Sequence, residues 1–413
     1  MAPSDGMPLE PLMTKATANT VLCAWELGGQ LGHIARLSHL TQTLEQRGYQ
    51  CFAALRDLSR ALPFFHGQQT RLLQAPVWLP KVTTQRPIQS LADMLLLSGY
   101  LQTDDLLALM QAWRNLLALV NPEVLIYDYS PTAALAALYH QRRKILVGPG
   151  FAQPVPPHPL RNWHPHGLYP ERVTQQEQRV VTTINQALAR LGQPGIARIS
   201  DLFVAHHTVI TTAPEFDLYA DLRLDAVYHC GEGGGSHHPP VRFSGDSRPR
   251  ILAYLKPGHP RFQWLLEALA QVRADVFVVC PRANPAQLEP LVSEHFGFSV
   301  QPVNLQTAMA AADLFVGHGN AGTTQESLLA GTPVLALPIQ LEQLLVGQTL
   351  EQLGVGRLVQ QPESVSQLSG LLEHMLADHG LQQNSQRFAA QHRALGQGSL
   401  GDKVADLCSA PSG

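Results

Sequence analysis

The stretch Gly317-His318-Gly319-Asn320-Ala321-Gly322 holds the residue types that gather a phosphate. Glycines let an anion approach the main chain, the first N–H groups of a helix point at it, and the helix dipole adds partial positive charge. His318 offers a ring N–H to a phosphate oxygen. The apolar run Leu314-Phe315-Val316 reads as a buried parallel strand, and Leu328, Leu329 and Gly331 give the following helix a face and a stop. Thr323 and Thr324 stand where a capping residue would, with Gln325 and Glu326 in the first turn. This spacing supports a diphosphate cradle; the plain alternative is an ordinary βα turn with a satisfied histidine.

A second constellation lies near the start of the chain. Gly28-Gly29-x-x-Gly32-His33 breaks the run Thr20–Trp25 into a turn and opens a helix. It departs from the G-x-G-x-x-G dinucleotide fingerprint. Asp128 ends the apolar run Val124-Leu125-Ile126-Tyr127, and an acid at a strand's carboxyl end faces the crevice where open α/β sheets bind ligands. The competing role for Asp128 is a cap on the helix that Ser130-Pro131 begins.

Taken in order, Gly317–Gly322, Glu326, Gly331-x-Pro333 and Glu342-Gln343 resemble the signature of nucleotide-sugar glycosyltransferases of the GT-B fold, the UDP-glycosyltransferase group. The first-turn Gly28-Gly29-x-x-Gly32-His33 is similar to that of the bacterial N-acetylglucosaminyltransferase that completes the cell-wall lipid precursor. The resemblance implies that Gly317, His318, Gly319, Asn320, Ala321, Gly322 and Thr323 hold the donor diphosphate. It further implies Glu326 on the ribose, Glu342 and Gln343 on the donor sugar, and His33 as the base for the acceptor hydroxyl, oriented by Asp128. Three departures stand out: Asn320 replaces a glycine, Glu342 stands where Asp is commoner, and Lys256-Pro257-Gly258 fills a turn where the family has a small hydroxyl residue.

The implied function is an inverting transfer of a sugar from a UDP- or dTDP-linked donor to an acceptor hydroxyl, with no metal and no cofactor beyond the donor. The acceptor is a small or lipid-linked molecule, and peripheral membrane contact stays open. Alternatives are a nucleotide-sugar 2-epimerase on the same fold, a nicotinamide or flavin oxidoreductase, and an inactive sugar-nucleotide-binding protein. Absence of the dinucleotide fingerprint disfavours the oxidoreductase; the first-turn motif and Glu342-Gln343 disfavour the epimerase.

Composition narrows the classes further. A formal net charge of −3 with 29 Lys plus Arg gives no electrostatic footprint for nucleic acid. Five scattered cysteines, Cys23, Cys51, Cys230, Cys280 and Cys408, indicate neither a disulfide framework nor a zinc site and suit a cytoplasmic protein. The 18 histidines include His206-His207 and His237-His238, but their proline-rich settings read as loops rather than ligand sets. No apolar run is long enough to span a bilayer.

The elements needed to position these residues read as two doubly wound α/β domains facing across a cleft. The expected limits are a flexible tail at 1–19, an acceptor-binding Rossmann-like domain at 20–230, a Gly/Pro linker at 231–249 and a nucleotide-sugar-binding Rossmann-like domain at 250–413. In the first domain, strands at Thr20–Trp25 and Gln50–Leu55 flank a helix bearing Ile34, Leu37, Leu40 and Leu44. Residues 56–88 read as cleft loops, and 91–120 as one Leu-rich helix. Residues 151–170 form an acceptor-side loop before a helix near 175–191. The second domain carries strands at 251–255, 276–279, 314–316 and 334–337, and its tail from Gln382 is helical at first and then loosens into Ser409-Ala410-Pro411-Ser412-Gly413.

Overall fold

The structure, a computed structural model, describes residues 19–410 apart from 30, 81–83, 85, 165–168, 232–237, 244–247 and 362. Most of the expected tail, and much of the expected linker, lies outside the described residues.

Two compact units divide the chain. One comprises Met1–Val147, Gln153–Thr208 and Gly401–Gly413; the other comprises Gly148–Ala152 and Val209–Leu400. This division departs from the expected limits in three places, the first being Gly148–Ala152, which groups with the second unit. Residues 209–230 group with the second unit, where Thr211 N donates to Gly148 O and His229 N to Ile210 O. The last residues return to the first unit instead of finishing the second.

The first unit begins with β1 (Thr20–Trp25), α1 (Leu31–Gln46), β2 (Gln50–Leu55) and β3 (Arg71–Gln74). It continues with α2 (Leu91–Leu96), α3 (Thr103–Val120), β4 (Val124–Asp128), α4 (Pro131–Ala136), β5 (Arg143–Gly148) and α5 (Pro170–Arg190). The strands run in the order β3-β2-β1-β4-β5, each neighbouring pair parallel. Ile34, Leu37, Leu40 and Leu44 of α1 are wholly buried, as their helical spacing predicts, and Gly48 ends the pattern at φ +85°. Asn121, in the left-handed conformation, closes α3 by donating its N–H to Leu117 O and turns the chain into β4.

Two expectations for this unit need correction. The 56–88 stretch is not all loop, because Arg71–Gln74 pairs with β2 as a four-residue edge strand. The 91–120 segment is two helices, not one. It breaks around Gly99, whose φ of +95° does not fit an α-helix and whose missing Cβ leaves room for Trp78 and Leu109.

Beyond α5 come β6 (His207–Ile210) and β7 (Ala226–Tyr228), then β8 (Arg250–Tyr254), α6 (Phe262–Gln271), β9 (Asp275–Val279), β10 (Phe296–Ser299) and α7 (Leu305–Ala310). There follow β11 (Leu314–Gly317), α8 (Ala321–Leu329), β12 (Val334–Ala336), α9 (Leu341–Leu353), β13 (Gly356–Leu358), α10 (Val365–Ala377), α11 (His379–His392) and α12 (Leu400–Ser409). The second sheet has the order β10-β9-β8-β11-β12-β13, all parallel. Ile251 and Ala253 lie in one apolar cluster and Leu252 in another, so helices cover both faces of this sheet. Residues 238–243, the described part of the expected linker's middle, are bonded to this unit through Asn304 N to Pro239 O.

Candidate functional site

In the first unit, His33 and Asp128 meet across 95 positions of sequence. His33 Nδ1–H donates to Asp128 Oδ1 at 2.9 Å. Asp128 sits at the last residue of β4 and is wholly buried; His33 sits one turn into α1 and is 8% exposed. The second carboxylate oxygen accepts from Arg36 Nη1 at 2.8 Å. Arg36 and His33, three apart on α1, therefore share one face and one carboxylate. Burial pushes the Asp128 carboxyl up, but the charges of Arg36 and His33 and their hydrogen bonds outweigh it and hold the group below the usual carboxylate range.

The ring of His33 is fixed on other sides too. Trp25 stacks on it at 5.1 Å between centroids and 16° between planes, and Tyr129 lies tilted at 6.4 Å. Gly28, at φ +81°, passes so close that a Cβ there would come within 2.7 Å of His33 Nε2. Cβ atoms at Gly29 and Gly32 would meet nothing within 4 Å, so those two glycines leave open space beside the histidine. With Nδ1–H committed to Asp128, a neutral His33 carries its lone pair on Nε2, which makes no hydrogen bond among the described residues.

The competing role for Asp128, capping α4, is filled by Glu26. Its Oε1 accepts from Thr132 N at 2.8 Å, and its Oε2 accepts from Ala133 N at 2.9 Å and Ser130 Oγ at 2.8 Å. Burial raises the Glu26 carboxyl above its ordinary range in spite of these donors. Sequence reasoning missed both Glu26 and Arg36. The available signal was an ionisable residue on an otherwise apolar strand end or helix face.

In the second unit β11 ends at Gly317 and α8 begins at Ala321, with Asn320 as N-cap. Thr323 and Thr324 thus lie within the helix rather than at its cap, and Glu326 is a turn further in than expected. Asn320 makes no side-chain cap, because its Oδ1 accepts from Gln343 Nε2 at 2.7 Å. The first N–H groups of α8 are left without a capping side chain. Gly319 has φ +79°, and a Cβ there would come 2.8 Å from Gln343 O.

His318 requires a correction. Its ring is almost wholly buried; Nε2 accepts from Lys256 N–H at 2.9 Å, so the proton is on Nδ1, which donates to Leu337 O at 2.9 Å. No N–H remains for a phosphate. Burial lowers its pKa to about 4, and the ring works as a neutral strut joining the ends of β8, β11 and β12. Gln343 also differs from expectation. Wholly buried, it accepts from Ile339 N at 2.9 Å and donates to Asn320, so its amide braces the turn. Glu326 and Glu342 are each half-buried, on α8 and in the first turn of α9.

Stacked on His318 at 5.3 Å is His259, from the turn after β8, which the sequence reading passed over. Its Nδ1 accepts from Arg261 N–H at 3.1 Å, which places the ring proton on Nε2, and that N–H has no partner among the described residues. Burial, and then Arg261, lower its pKa. Between the two rings it is therefore His259, not His318, that keeps an unengaged N–H among the described residues.

Residues 266–397 match the glycosyltransferase family 28 C-terminal domain. A zeaxanthin glucosyltransferase of Pseudescherichia vulneris is 29% identical over 230 residues, 54% of this chain and 55% of that protein. The NDP-glycosyltransferase YjiC of Bacillus subtilis is 32% identical over 100 residues, 24% of this chain and 25% of that protein. The chain spans about half the length of the zeaxanthin glucosyltransferases it matches, 55% and 50%. Among solved structures, the calicheamicin glycosyltransferase CalG4 superposes with a TM-score of 0.68 at 17% identity, covering 94% of this chain and 97% of that one. Spinosyn rhamnosyltransferase SpnG gives 0.69 at 14% identity, covering 95% and 100%, and has also been solved with thymidine diphosphate and with spinosyn aglycone. Two doubly wound parallel sheets, the family 28 domain match on the second of them and these superpositions together give the chain the GT-B fold.

Proposed function

We propose that the protein is a glycosyltransferase that moves a sugar, with inversion, from a nucleoside-diphosphate sugar to an acceptor hydroxyl. The observation that carries this reading is the His33–Asp128–Arg36 arrangement. A base must accept the hydroxyl proton as the oxygen attacks the anomeric carbon and the nucleoside diphosphate leaves. His33 Nε2 supplies the lone pair. Asp128 stabilises the imidazolium that forms, and Arg36 keeps Asp128 ionised so that the proton stays on the histidine.

For the leaving group, the uncapped start of α8 offers N–H groups and the positive end of a helix dipole. His259 Nε2–H adds the ring donor, with Glu326 assigned to the ribose and Glu342 to the donor sugar. The nucleotide is uridine or thymidine diphosphate, the latter favoured by its presence in the SpnG structure. The acceptor is assigned to the first unit, beside the open space at Gly29 and Gly32.

The test is incubation with a panel of nucleotide sugars and hydroxylated acceptors, followed by mass spectrometry of the products. His33→Ala should lower turnover by roughly 10²–10⁴ and leave nucleoside diphosphate affinity unchanged. His259→Ala should weaken nucleoside diphosphate binding by about 1–3 kcal/mol, the scale of a hydrogen bond to a charged group. Near-normal transfer by His33→Ala would remove the base assignment.

A further inference from the structure

Arg56 is the first residue past β2, at the carboxyl edge of the sheet where β1 and β4 also end, β1 pairing parallel with both. It is half-buried. Its Nη1 donates to Glu26 O at 2.6 Å, the single hydrogen bond of this guanidinium among the described residues. Asp57, the nearest acid in sequence, is engaged in its own turn: Oδ1 accepts from Ser59 N at 2.9 Å and Oδ2 from Arg60 Nε at 3.2 Å. The Glu26 carboxylate is turned to Ser130, Thr132 and Ala133. A half-buried cation has thus given up water without gaining a counter-charge. A fork of five N–H donors that holds one carbonyl keeps the others for a planar anion.

The carbonyl that Arg56 holds belongs to the turn that touches the candidate base. Trp25 Nε1 donates to Leu27 O at 2.6 Å, Leu27 N donates to Tyr129 O at 3.0 Å, and Gly28 lies against His33 Nε2. Glu26, Leu27 and Gly28 are consecutive, so Arg56 and the lone pair of His33 flank one short turn, on the order of 10 Å apart. After a hydrogen bond at each end, that spacing leaves room for a hydroxyl and an anion about one aromatic ring apart.

We propose that Arg56 selects the acceptor: a hydroxylated molecule with a carboxylate about one ring away from the hydroxyl that receives the sugar. The guanidinium takes the carboxylate while His33 Nε2 faces the hydroxyl, which rests on the reading of His33 as the base given above. Arg56 touches the acceptor's anion and not the reacting oxygen, so it sets which acceptor binds and leaves the proton transfer to His33.

The experiment compares the full chain and R56Q on 4-hydroxybenzoate and 4-hydroxycinnamate, each against its methyl ester. Transfer is read as kcat/KM with the donor that the parent uses, and binding is read apart from transfer by ligand-observed NMR. The parent should favour each acid over its ester. R56Q should lower kcat/KM for the acids roughly ten- to hundredfold, through KM, the scale of one lost charge-assisted hydrogen bond. Both proteins should use the esters equally, because a glutamine amide can still donate to Glu26 O and hold the turn. R56K should keep part of the preference, since the charge stays and the fork is lost. Equal losses for acid and ester would make Arg56 a brace for the turn and overturn the proposal, as would a parent that binds ester as well as acid. Weaker nucleoside diphosphate binding by R56Q would give the guanidinium to the donor and overturn it too. Binding of the acids that depends on Arg56, without transfer to any acceptor, supports the carboxylate site and sinks the His33 reading instead.

Discussion

His318 shows how a residue of the right type at the right spacing can serve another purpose. In the unfolded chain its pKa is the ordinary 6.5, and in the fold burial holds it at about 4. As pH falls through 6.5 the unfolded chain takes up a proton that the folded chain refuses until about pH 4, so acid weakens folding. Between about pH 7.5 and pH 5 this one group should remove about 2 kcal/mol of stability. Urea titrations at both pH values, on the parent and on His318→Gln, measure it. The variant should lose that part of the pH dependence, and an unchanged dependence would mean that the ring is not the neutral strut described. Sequence identified the turn but not the ring's partners, because Lys256 and Leu337 lie 62 and 19 positions away. The dyad of His33 and Asp128 was legible because both residues end predictable strands or begin predictable helices. Arg36 was not, since a basic residue on a helix looks like a solvated face until its burial is known.

At the scale of elements, the central strands were readable from apolar runs, and the misses have a common cause. β3, β10 and β13 are edge strands of three or four residues, too short for a period-two pattern to emerge. The turn from β4 into α4 depends on Glu26, a residue of the neighbouring strand end that no local capping rule would select. Glu26→Gln turns an amide N–H₂ toward donors that need an acceptor, and should cost about 1–3 kcal/mol. Thermal unfolding measures the loss. Ser130→Ala, which removes one of the three donors, should cost less, and equal costs would argue against Glu26 as the cap.

At the scale of the whole chain, the placement of α12 is what composition concealed. The tail reads as helical before Ser409-Ala410-Pro411-Ser412-Gly413, and Leu400–Ser409 is a helix; what the sequence did not show is that it is laid against the first unit. Arg47 pairs with Asp402 and Asp406, Arg143 Nη1 donates to Leu407 O at 2.7 Å, and Tyr49 OH meets Ser409 Oγ at 3.1 Å. The absent side chain at Gly401 lets α12 close on Thr43, which a Cβ would strike at 2.2 Å. All five cysteines are buried and free; burial, then Glu45 and Cys408, push the Cys51 thiol up to about 12, and burial pushes Cys408 up to about 12. A chain ending at residue 399 should therefore expose Cys51 to a thiol reagent under native conditions, while the full chain reacts slowly. Equal labelling of the two would show that α12 is dispensable to the first unit.

The return of α12 also fixes an order of events during synthesis. The first unit is begun before residue 209 and finished only after residue 400, with nearly all of the second unit emerging from the ribosome in between. Until that last helix arrives, the groove bordered by Arg47, Thr43 and Cys51 stays unfilled. Loss of residues 400–409 would therefore damage the half of the protein made first. Joining residue 410 to residue 19 by a short linker, with new ends opened in the second unit, would let the first unit be made in one piece.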